Sequence, residues 1–146
     1  MMDTSTGYLL GRFVFELDRA ADQLLQAHVG ISYRRFLFLT VLQHSGTVTQ
    51  HELAVALGYS DPAVSTMLVE LARDEYVQTT PSKTHGRKRL VSITPKGNEV
   101  VAQGRHLLDA HFDQLMDLAS VDAQQLREIT ERLYQALMSK MKKEQP

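Results

Sequence analysis

The chain has 146 residues, of which 43% are hydrophobic and 23% are charged, and these proportions are ordinary for a globular protein of one domain, with or without an extension. It contains no cysteine, which excludes disulfides, thiolate metal sites, cysteine nucleophiles and thiol-based redox sensors. The formal net charge is −1, which by itself argues against a nucleic-acid-binding protein, because such proteins usually carry a basic surface.

Apolar periodicity predicts two helices in the first third of the chain. The first runs from about 6 to 28, and Gly30 prevents it from continuing further. Ser32 can cap the second, which is apolar over much of its circumference and is therefore expected to be central. The apolar residues of the first helix recur at spacings of three and four and form one stripe, comprising Leu10, Phe13, Leu17, Ala20 and Leu24.

Two short helices are predicted next. Thr49 and Glu52 match a capping box, in which the Thr49 hydroxyl accepts from the Glu52 amide and the Glu52 carboxylate accepts from the Thr49 amide. Gly58 ends this helix after about two turns. Asp61 is predicted as the N-cap of the following helix and Pro62 as its first residue. The apolar residues of that helix are directed toward the core: Val64, Met67, Leu68 and Leu71.

A β-ribbon and two long helices complete the pattern. Residues 76–77 and 90–93 are predicted as short strands joined by a long polar tip, with Pro81 and Gly86 as turn residues. Thr94-Pro95 caps and opens a long helix. A last helix, from about 121 to 143, places five apolar residues on one face: Leu126, Ile129, Leu133, Leu137 and Met141.

Basic residues are concentrated in the ribbon. Residues 79–97 contain no Asp or Glu, so the remainder of the chain is acidic. Such an island is a localised electrostatic footprint, although a solvated charged loop would have the same composition. The basic residues of the segment are Lys83, Arg87, Lys88, Arg89 and Lys96.

The order helix, turn, helix, ribbon over residues 49–94 predicts a winged helix-turn-helix. The second short helix can enter a DNA major groove about 12 Å wide, and the ribbon can reach the flanking backbone or minor groove. A helical hairpin packed for stability alone is the alternative, but it leaves the basic tip without a role. The expected fold class is mainly α (α+β), with a DNA-binding lobe at 31–94 and a helical dimerisation region at 1–30 and 95–146. The first helix and the last two carry apolar stripes that are predicted to pack between two chains, and packing within one chain is the alternative.

Three segments resemble the MarR family (multiple antibiotic resistance regulators). Residues 49–60 resemble its first helix-turn-helix element, and residues 64–77 resemble its recognition helix and the exit from it. Residues 86–97, GRKRLVSITPKG, are similar to the second strand of the wing and the start of the next helix, and they are the most specific part. The resemblance implies a dimeric winged helix-turn-helix protein, usually a repressor and often released by a small ligand.

The chain departs from the family pattern in the wing and the recognition helix. His85 stands where the family usually has an Asp, two residues before Arg87. No Lys or Arg occurs from Ser60 to Ala72, and Glu75 replaces the usual glycine at the helix exit. Affinity for phosphate must therefore depend on the wing and on other surfaces.

The resemblance assigns DNA-binding roles to two groups of residues. Near the start of the recognition helix, small side chains can meet base edges: Ser60, Ala63, Ser65 and Thr66. In the wing, Arg87 is expected to enter the minor groove. The residues expected to contact DNA phosphates are Lys83, Lys88 and Arg89. Strand alternation places Arg87 and Lys88 on opposite faces, so these residues cannot all bind at once. Arg34 and Arg35 are weaker candidates, for which a solvated face is the favoured interpretation.

A small aromatic or lipophilic effector is a further expectation, because ligands in the family bind between the dimerisation helices and the DNA-binding lobe. The candidate pocket residues are Phe13, Tyr33, Phe36 and His106, with Phe15, Phe38 and His111 as additional contributors. Aromatic core packing is the stronger interpretation for any one of them. His106 and His111 are five residues apart, which does not align them on one helical face, so no metal and no cofactor is expected.

The sequence therefore predicts a transcription regulator that acts as a homodimer on a pseudo-palindromic operator in double-stranded DNA. The alternative is a winged-helix protein-interaction module that has lost specific operator reading, as the acidic recognition helix suggests. An enzyme is not expected, because there is no phosphate-binding glycine loop, HExxH motif or nucleophile elbow. No apolar run is long enough to span a membrane and residues 1–11 lack a signal-peptide pattern, so a cytoplasmic location is expected.

Overall fold

The computed structural model describes residues 5–84, 86 and 88–145. In this part of the chain helices predominate and a small antiparallel sheet follows the helix-turn-helix, so the predicted fold class is confirmed. The elements in chain order are α1 Thr6–His28, α2 Tyr33–Ser45, β1 Val48–Thr49, α3 Gln50–Leu57, α4 Asp61–Arg73, β2 Val77–Pro81, β3 Arg89–Ile93, α5 Pro95–Ala119 and α6 Ala123–Glu144.

Helix α2 is central in the core, as its apolar circumference predicted. The Ser32 hydroxyl accepts from the Arg35 amide at 3.2 Å and so begins the helix. Asp22 of α1 adds a second cap, because its carboxylate accepts from the Tyr33 amide at 2.9 Å. Phe38, Leu39 and Leu42 of this helix are fully buried. The first turn of α2 is thus capped both by Ser32, directly before the helix, and by Asp22 of α1.

Helix α1 buries a different stripe from the one its periodicity suggested. Ala21 and Leu25 are its buried residues, whereas Leu10 and Phe13 are 49% and 42% exposed. The C-terminal half of α1 therefore contributes to the core and its N-terminal half presents apolar side chains to solvent. A helical period identifies an apolar face, but it does not tell which part of that face finds a partner within the chain.

The helix-turn-helix is built from local caps. In α3 the Thr49 amide donates to the Glu52 carboxylate at 2.8 Å and the Glu52 amide donates to the Thr49 hydroxyl at 3.2 Å, which confirms the capping box. Gly58 ends α3 with φ of 69°. The predicted N-cap of α4 is wrong: the cap is Ser60, whose hydroxyl accepts from the Ala63 amide, and Asp61 is the first helical residue. Ser and Asp are both good caps, and the extended backbone at Ser60 decides between them.

The sheet has the order β1-β3-β2, with both pairings antiparallel. Strand β1 was not predicted, because its two residues carry too little pattern; Val48 pairs with Val91. Strands β2 and β3 confirm the ribbon, but β2 extends through Pro81, which the sequence suggested as a turn residue. Proline is tolerated there because β2 is an edge strand and need not donate a ladder hydrogen bond.

Glycines allow close packing where α5 meets the rest of the fold. A Cβ at Gly97 would lie 2.3 Å from the carbonyl oxygen of Tyr76, and a Cβ at Gly104 would lie 2.6 Å from the ring of Phe36. The Thr94 hydroxyl accepts from the Gly97 amide at 3.0 Å, so the predicted cap of α5 is confirmed. These contacts join the N-terminal part of α5 to the segment between α4 and β2 and to α2.

The described chain forms two compact units with the boundary between Leu108 and Asp109, inside α5. The first unit contains the hydrophobic core, the helix-turn-helix and the sheet. In the second unit, α6 begins at the Asp122 cap and has no buried residue. Its exposed apolar side chains include Ile129, Leu133, Tyr134, Leu137 and Met141.

None of the helices described is both long enough and apolar enough to cross a membrane.

Candidate nucleic-acid interface

Helix α4 separates an apolar face from a polar one. Val64, Met67, Leu68 and Leu71 pack into the core, as the sequence predicted. On the other side Ser65 and Thr66 are exposed and Ala63 is half-buried, while Ser60 is exposed at the cap. The residues proposed to meet bases therefore lie together on the accessible side of the first turns of this helix.

The hydroxyls on this face already have partners within the protein. Ser60 caps the helix, the Thr66 hydroxyl donates to the Pro62 carbonyl at 3.1 Å, and Ser65 accepts from the Gln50 side chain at 2.6 Å. Because the Thr66 proton is used, its hydroxyl can offer a ligand only acceptor lone pairs and its methyl group. The Ser65 hydroxyl, which accepts from Gln50, keeps its own proton available for donation.

The wing is the hairpin of β2 and β3 with the tip between them. The Ser82 amide donates to the Lys88 carbonyl at 2.9 Å and closes the base of the tip. Lys83, Lys88 and Arg89 are exposed, and the Arg89 guanidinium donates to the Thr79 hydroxyl at 3.2 Å across the hairpin. This bond holds Arg89 along the sheet. Two predicted wing residues, His85 and Arg87, lie outside the described residues.

A cleft of about 320 Å³ lies where the wing meets the first turns of α3 and α4. Among its lining residues, only those of the wing were assigned DNA-binding roles from the sequence, because the helical ones are distant along the chain. The imidazole Nδ1 of His51 lies 3.2 Å from a carboxylate oxygen of Asp61. Two cations, one carboxylate and one imidazole thus share a solvent-open site of mixed charge. Its lining residues are Thr49, Gln50, His51, Asp61, Lys88 and Arg89.

The two arginines that open α2 have different surroundings. The Arg35 guanidinium forms an ion pair with Asp74 just beyond α4, and it is largely buried. Arg34 is exposed, and its guanidinium carbon lies 4.9 Å from the centroid of the Tyr59 ring. Tyr59 occupies the turn between α3 and α4. The sequence pattern alone offered no way to distinguish these neighbours.

The four candidate effector residues occupy different environments. Phe36 is buried and packs against Gly104, and the Tyr33 ring stacks on it with 6.5 Å between ring centroids. Burial of the Tyr33 ring, and then the nearby Asp18 carboxylate, raise the pKa of its hydroxyl. Phe13 and His106 are exposed. The structure thus brings Tyr33 and Phe36 together.

A second cavity, of about 580 Å³, was not anticipated from the sequence. It lies in the first unit beside the C-terminal half of α2, with α3 and α5 contributing, and its volume is in the range of small-molecule sites. The Arg105 guanidinium on its wall donates to the Gln43 amide oxygen at 3.3 Å. Its lining residues are Thr40, Val41, Gln43, His44, Ser45, Ala56 and Arg105.

Across 5–84, 86 and 88–145, no group of three or more His, Cys, Asp or Glu side chains is placed so that it could hold a metal ion.

Residues 29–88 match the sequence model of the MarR family. No curated protein sequence matches the chain. The fold is similar to that of solved structures. Wild-type apo MarR from E. coli superposes with a TM-score of 0.78 at 21% identity, covering 94% of this chain and 99% of that one.

Two similar structures contain DNA. A mutant of E. coli MarR complexed with operator DNA has a TM-score of 0.69 at 23% identity, covering 93% of this chain and 99% of that one. The MepR–DNA complex from S. aureus has a TM-score of 0.74 at 23% identity, covering 94% of this chain and 99% of that one. At these identities, the likeness establishes a shared fold over nearly the whole chain.

Proposed function

We propose that the chain is a member of the MarR family, whose sequence model matches residues 29–88, and that it is a transcription regulator that binds double-stranded DNA as a homodimer. The observation that carries this proposal is the joint exposure of the polar face of α4 and the basic wing in one compact unit. The similar structures of MarR and MepR that contain DNA support it. The finer proposal is a repressor that binds a pseudo-palindromic operator.

Base contacts are assigned to the start of α4. The Ser65 hydroxyl donates to a base or phosphate acceptor, Thr66 offers its lone pairs and methyl group, and the Ala63 methyl contacts a thymine methyl. Ser60 keeps the helix start in place through its cap and contributes less to the contact itself. Since Gln50 holds the Ser65 oxygen, it sets the direction in which the Ser65 proton points.

Phosphate contacts are assigned to the wing. Lys83, Lys88 and Arg89 supply exposed positive charge, and Arg87 is assigned to the minor groove on the basis of the family pattern. The cleft that contains Lys88 and Arg89 opens beside the first turn of α3, whose amides add positive potential. These contacts set the register of the protein on DNA without reading its sequence.

Two copies are needed for a two-fold operator. The apolar side chains that α1 and α6 each present to solvent are proposed to be buried between two chains, so residues 1–30 and 95–146 form the dimerisation region and residues 31–94 the DNA-binding lobe. The half-sites are then about 10 bp apart from centre to centre. On α1 these side chains are Tyr8, Leu9, Leu10, Phe13, Val14 and Phe15.

A small aromatic or lipophilic effector is proposed to release the protein from DNA. Such a ligand acts only if it binds the DNA-competent and DNA-incompetent dimers with different affinity. Tyr33 and Phe36, with Phe13 and His106, remain the candidates for its site. The cavity beside α2, which none of these four residues lines, has a volume of suitable size and is a separate candidate.

DNA from immediately upstream of this chain's own gene provides the first test, because regulators of this kind often control their own expression. Fluorescence anisotropy at two salt concentrations is compared with scrambled DNA of the same length. We expect tighter binding to the native DNA, weakening with salt, and a further loss in Arg87→Ala and Lys88→Ala. Arg73→Ala, an exposed arginine in the last turn of α4 with no assigned DNA contact, removes the same charge and is the control.

Equal, weak binding of native and scrambled DNA, unchanged by the wing substitutions, would contradict operator binding at this site. Other promoters would then be tested. If none bound, the winged-helix protein-interaction module would replace the regulator as the proposed function.

A further inference from the structure

Arg34 and Arg35 are consecutive at the start of α2, but only Arg34 is available to a ligand. The Arg35 guanidinium pairs with the Asp74 carboxylate and donates to the Glu70 carbonyl at 3.5 Å, and 19% of its side chain is exposed. Arg35 thereby joins α2 to the end of α4 and is committed to the fold. Its neighbour has no comparable role in packing.

Arg34 is held by an aromatic ring and not by a carboxylate. Its guanidinium carbon lies 4.9 Å from the Tyr59 ring centroid, and within residues 5–84, 86 and 88–145 no carboxylate lies within ion-pair distance of it. A guanidinium stacked on a ring keeps its N–H groups free at the ring's rim, and stacking restricts the side chain before any ligand binds. The group is thus positioned but its donors are not used.

The location of Tyr59 connects this arginine to the recognition helix. Tyr59 is 37% exposed and immediately precedes Ser60, the cap of α4. Helix α4 itself has no Lys or Arg before Arg73, and it carries Asp61 and Glu70. Positive charge beside its first turn must therefore come from other elements.

We propose that Arg34, braced by Tyr59, binds a backbone phosphate of double-stranded DNA and so anchors the recognition helix independently of the wing. The proposal rests on the proposed DNA-binding function and names a contact surface on α2 for it. A guanidinium binds a phosphate through two parallel N–H bonds, which makes arginine the suited residue for this contact. The contact is to the sugar-phosphate backbone, so it strengthens binding to every DNA sequence alike.

The test is the salt dependence of DNA binding by the full chain. Association constants of wild type and Arg34→Ala are measured by anisotropy from 50 to 200 mM salt, with upstream and scrambled DNA. Loss of one phosphate contact lowers the slope of log K against log salt by about 0.9, so the affinity lost is roughly three to four times larger at 50 mM than at 200 mM. We expect that change, and an equal loss on both DNAs.

Further variants separate the effect of the Tyr59 ring from the effect of the Arg34 charge. Tyr59→Phe keeps the ring and is expected to bind as wild type, whereas Tyr59→Ala frees the arginine and is expected to lose part of the affinity. Arg34→Lys keeps the charge without the planar donor pair and is expected to fall between wild type and Arg34→Ala. Arg73→Ala, an exposed arginine in the last turn of α4 to which no DNA contact and no dimer role is assigned, is the control for general charge removal. Thermal unfolding of each variant identifies any loss of folded protein.

The possible failures are distinguishable. If wild type binds DNA and Lys88→Ala lowers the salt slope while Arg34→Ala matches wild type in affinity and slope, the anchor is overturned and the DNA-binding function stands. If Arg73→Ala has the same effect as Arg34→Ala, the effect comes from general charge and the anchor is again overturned. If wild type binds no DNA, the proposed function and the anchor fail together.

Discussion

Glu75 stands where the family that the chain resembles usually has a glycine, and the structure explains what this difference costs. It has φ of 63°, in the left-handed region that favours glycine, at the exit from α4. Its carbonyl accepts from the Thr94 hydroxyl at 2.6 Å, and this bond uses only the backbone. Its side chain is 80% exposed and approaches Lys96 at 3.5 Å, a type of surface ion pair that contributes little. The side chain therefore adds little to compensate for the conformation.

Glu75→Gly is expected to stabilise the fold by on the order of 0.5–1 kcal/mol, because relief of the left-handed strain exceeds the added freedom of the unfolded chain. Thermal or urea unfolding checks this. Glu99→Gly, an exposed position inside α5, is the matched control and is expected to lose about 1 kcal/mol. A Glu75→Gly variant as unstable as Glu99→Gly would show that the exit conformation is not strained.

At the scale of elements, the junction of α3, α4 and the wing combines two opposing requirements. Asp61 in the first turn of α4 stabilises the helix, because a carboxylate there interacts favourably with the helix dipole. The same carboxylate lies on the cleft that Lys88 and Arg89 line, where it opposes an approaching phosphate. His51 accompanies it at 3.2 Å, but both side chains are well exposed, so their pairing is weak. The Asp61 carboxylate is therefore expected to raise the stability of the fold and to lower the proposed affinity for DNA.

Asp61→Asn is expected to tighten DNA binding roughly two- to tenfold at low salt and to cost about 0.5 kcal/mol of stability. Anisotropy titration and thermal unfolding measure the two effects on one protein sample. Asp113→Asn makes the same change of charge on the exposed surface of α5 and should leave both nearly unchanged. Weaker DNA binding in Asp61→Asn would instead indicate that the carboxylate makes a favourable contact, such as accepting from a cytosine amino group.

At the scale of the whole molecule, the exposed apolar faces of the terminal helices predict a dimer. Leu133 of α6 is 58% exposed, and a glutamate there would place a charge in the proposed interface between two chains. Leu133→Glu is expected to shift the protein from twice its 16.5 kDa mass to a monomer and to reduce operator affinity at least tenfold. Light scattering coupled to gel filtration reports the mass, and circular dichroism reports the helix content.

Val55→Glu is the matched control for this substitution. Val55 is 70% exposed, but it lies on α3, in the lobe assigned to DNA and outside the proposed dimer interface. It is expected to leave the mass unchanged. A Leu133→Glu protein that remained dimeric, with wild-type affinity for DNA, would remove α6 from the interface.

The sequence by itself determined the features that depend on neighbours three or four residues away. The Thr49–Glu52 capping box, the caps at Ser32 and Thr94 and the apolar face of α4 were all predicted and are all present, because a helix brings such residues into contact whatever the rest of the chain does. Even here the choice of Ser60 over Asp61 as the cap followed from backbone conformation, which residue type alone does not decide.

Only the tertiary structure decided which distant residues meet. Strand β1 forms because Val48 pairs with Val91, and the two residues of this strand are too few to predict that pairing from the sequence. Arg34 and Arg35 are the same residue type in adjacent positions, and they differ because Asp74 and Tyr59 reach α2 from elsewhere in the fold. His51 and Asp61 share a cleft with the wing for the same reason. Contacts of this kind depend on how the elements pack, so local periodicity and residue propensity carry no information about them.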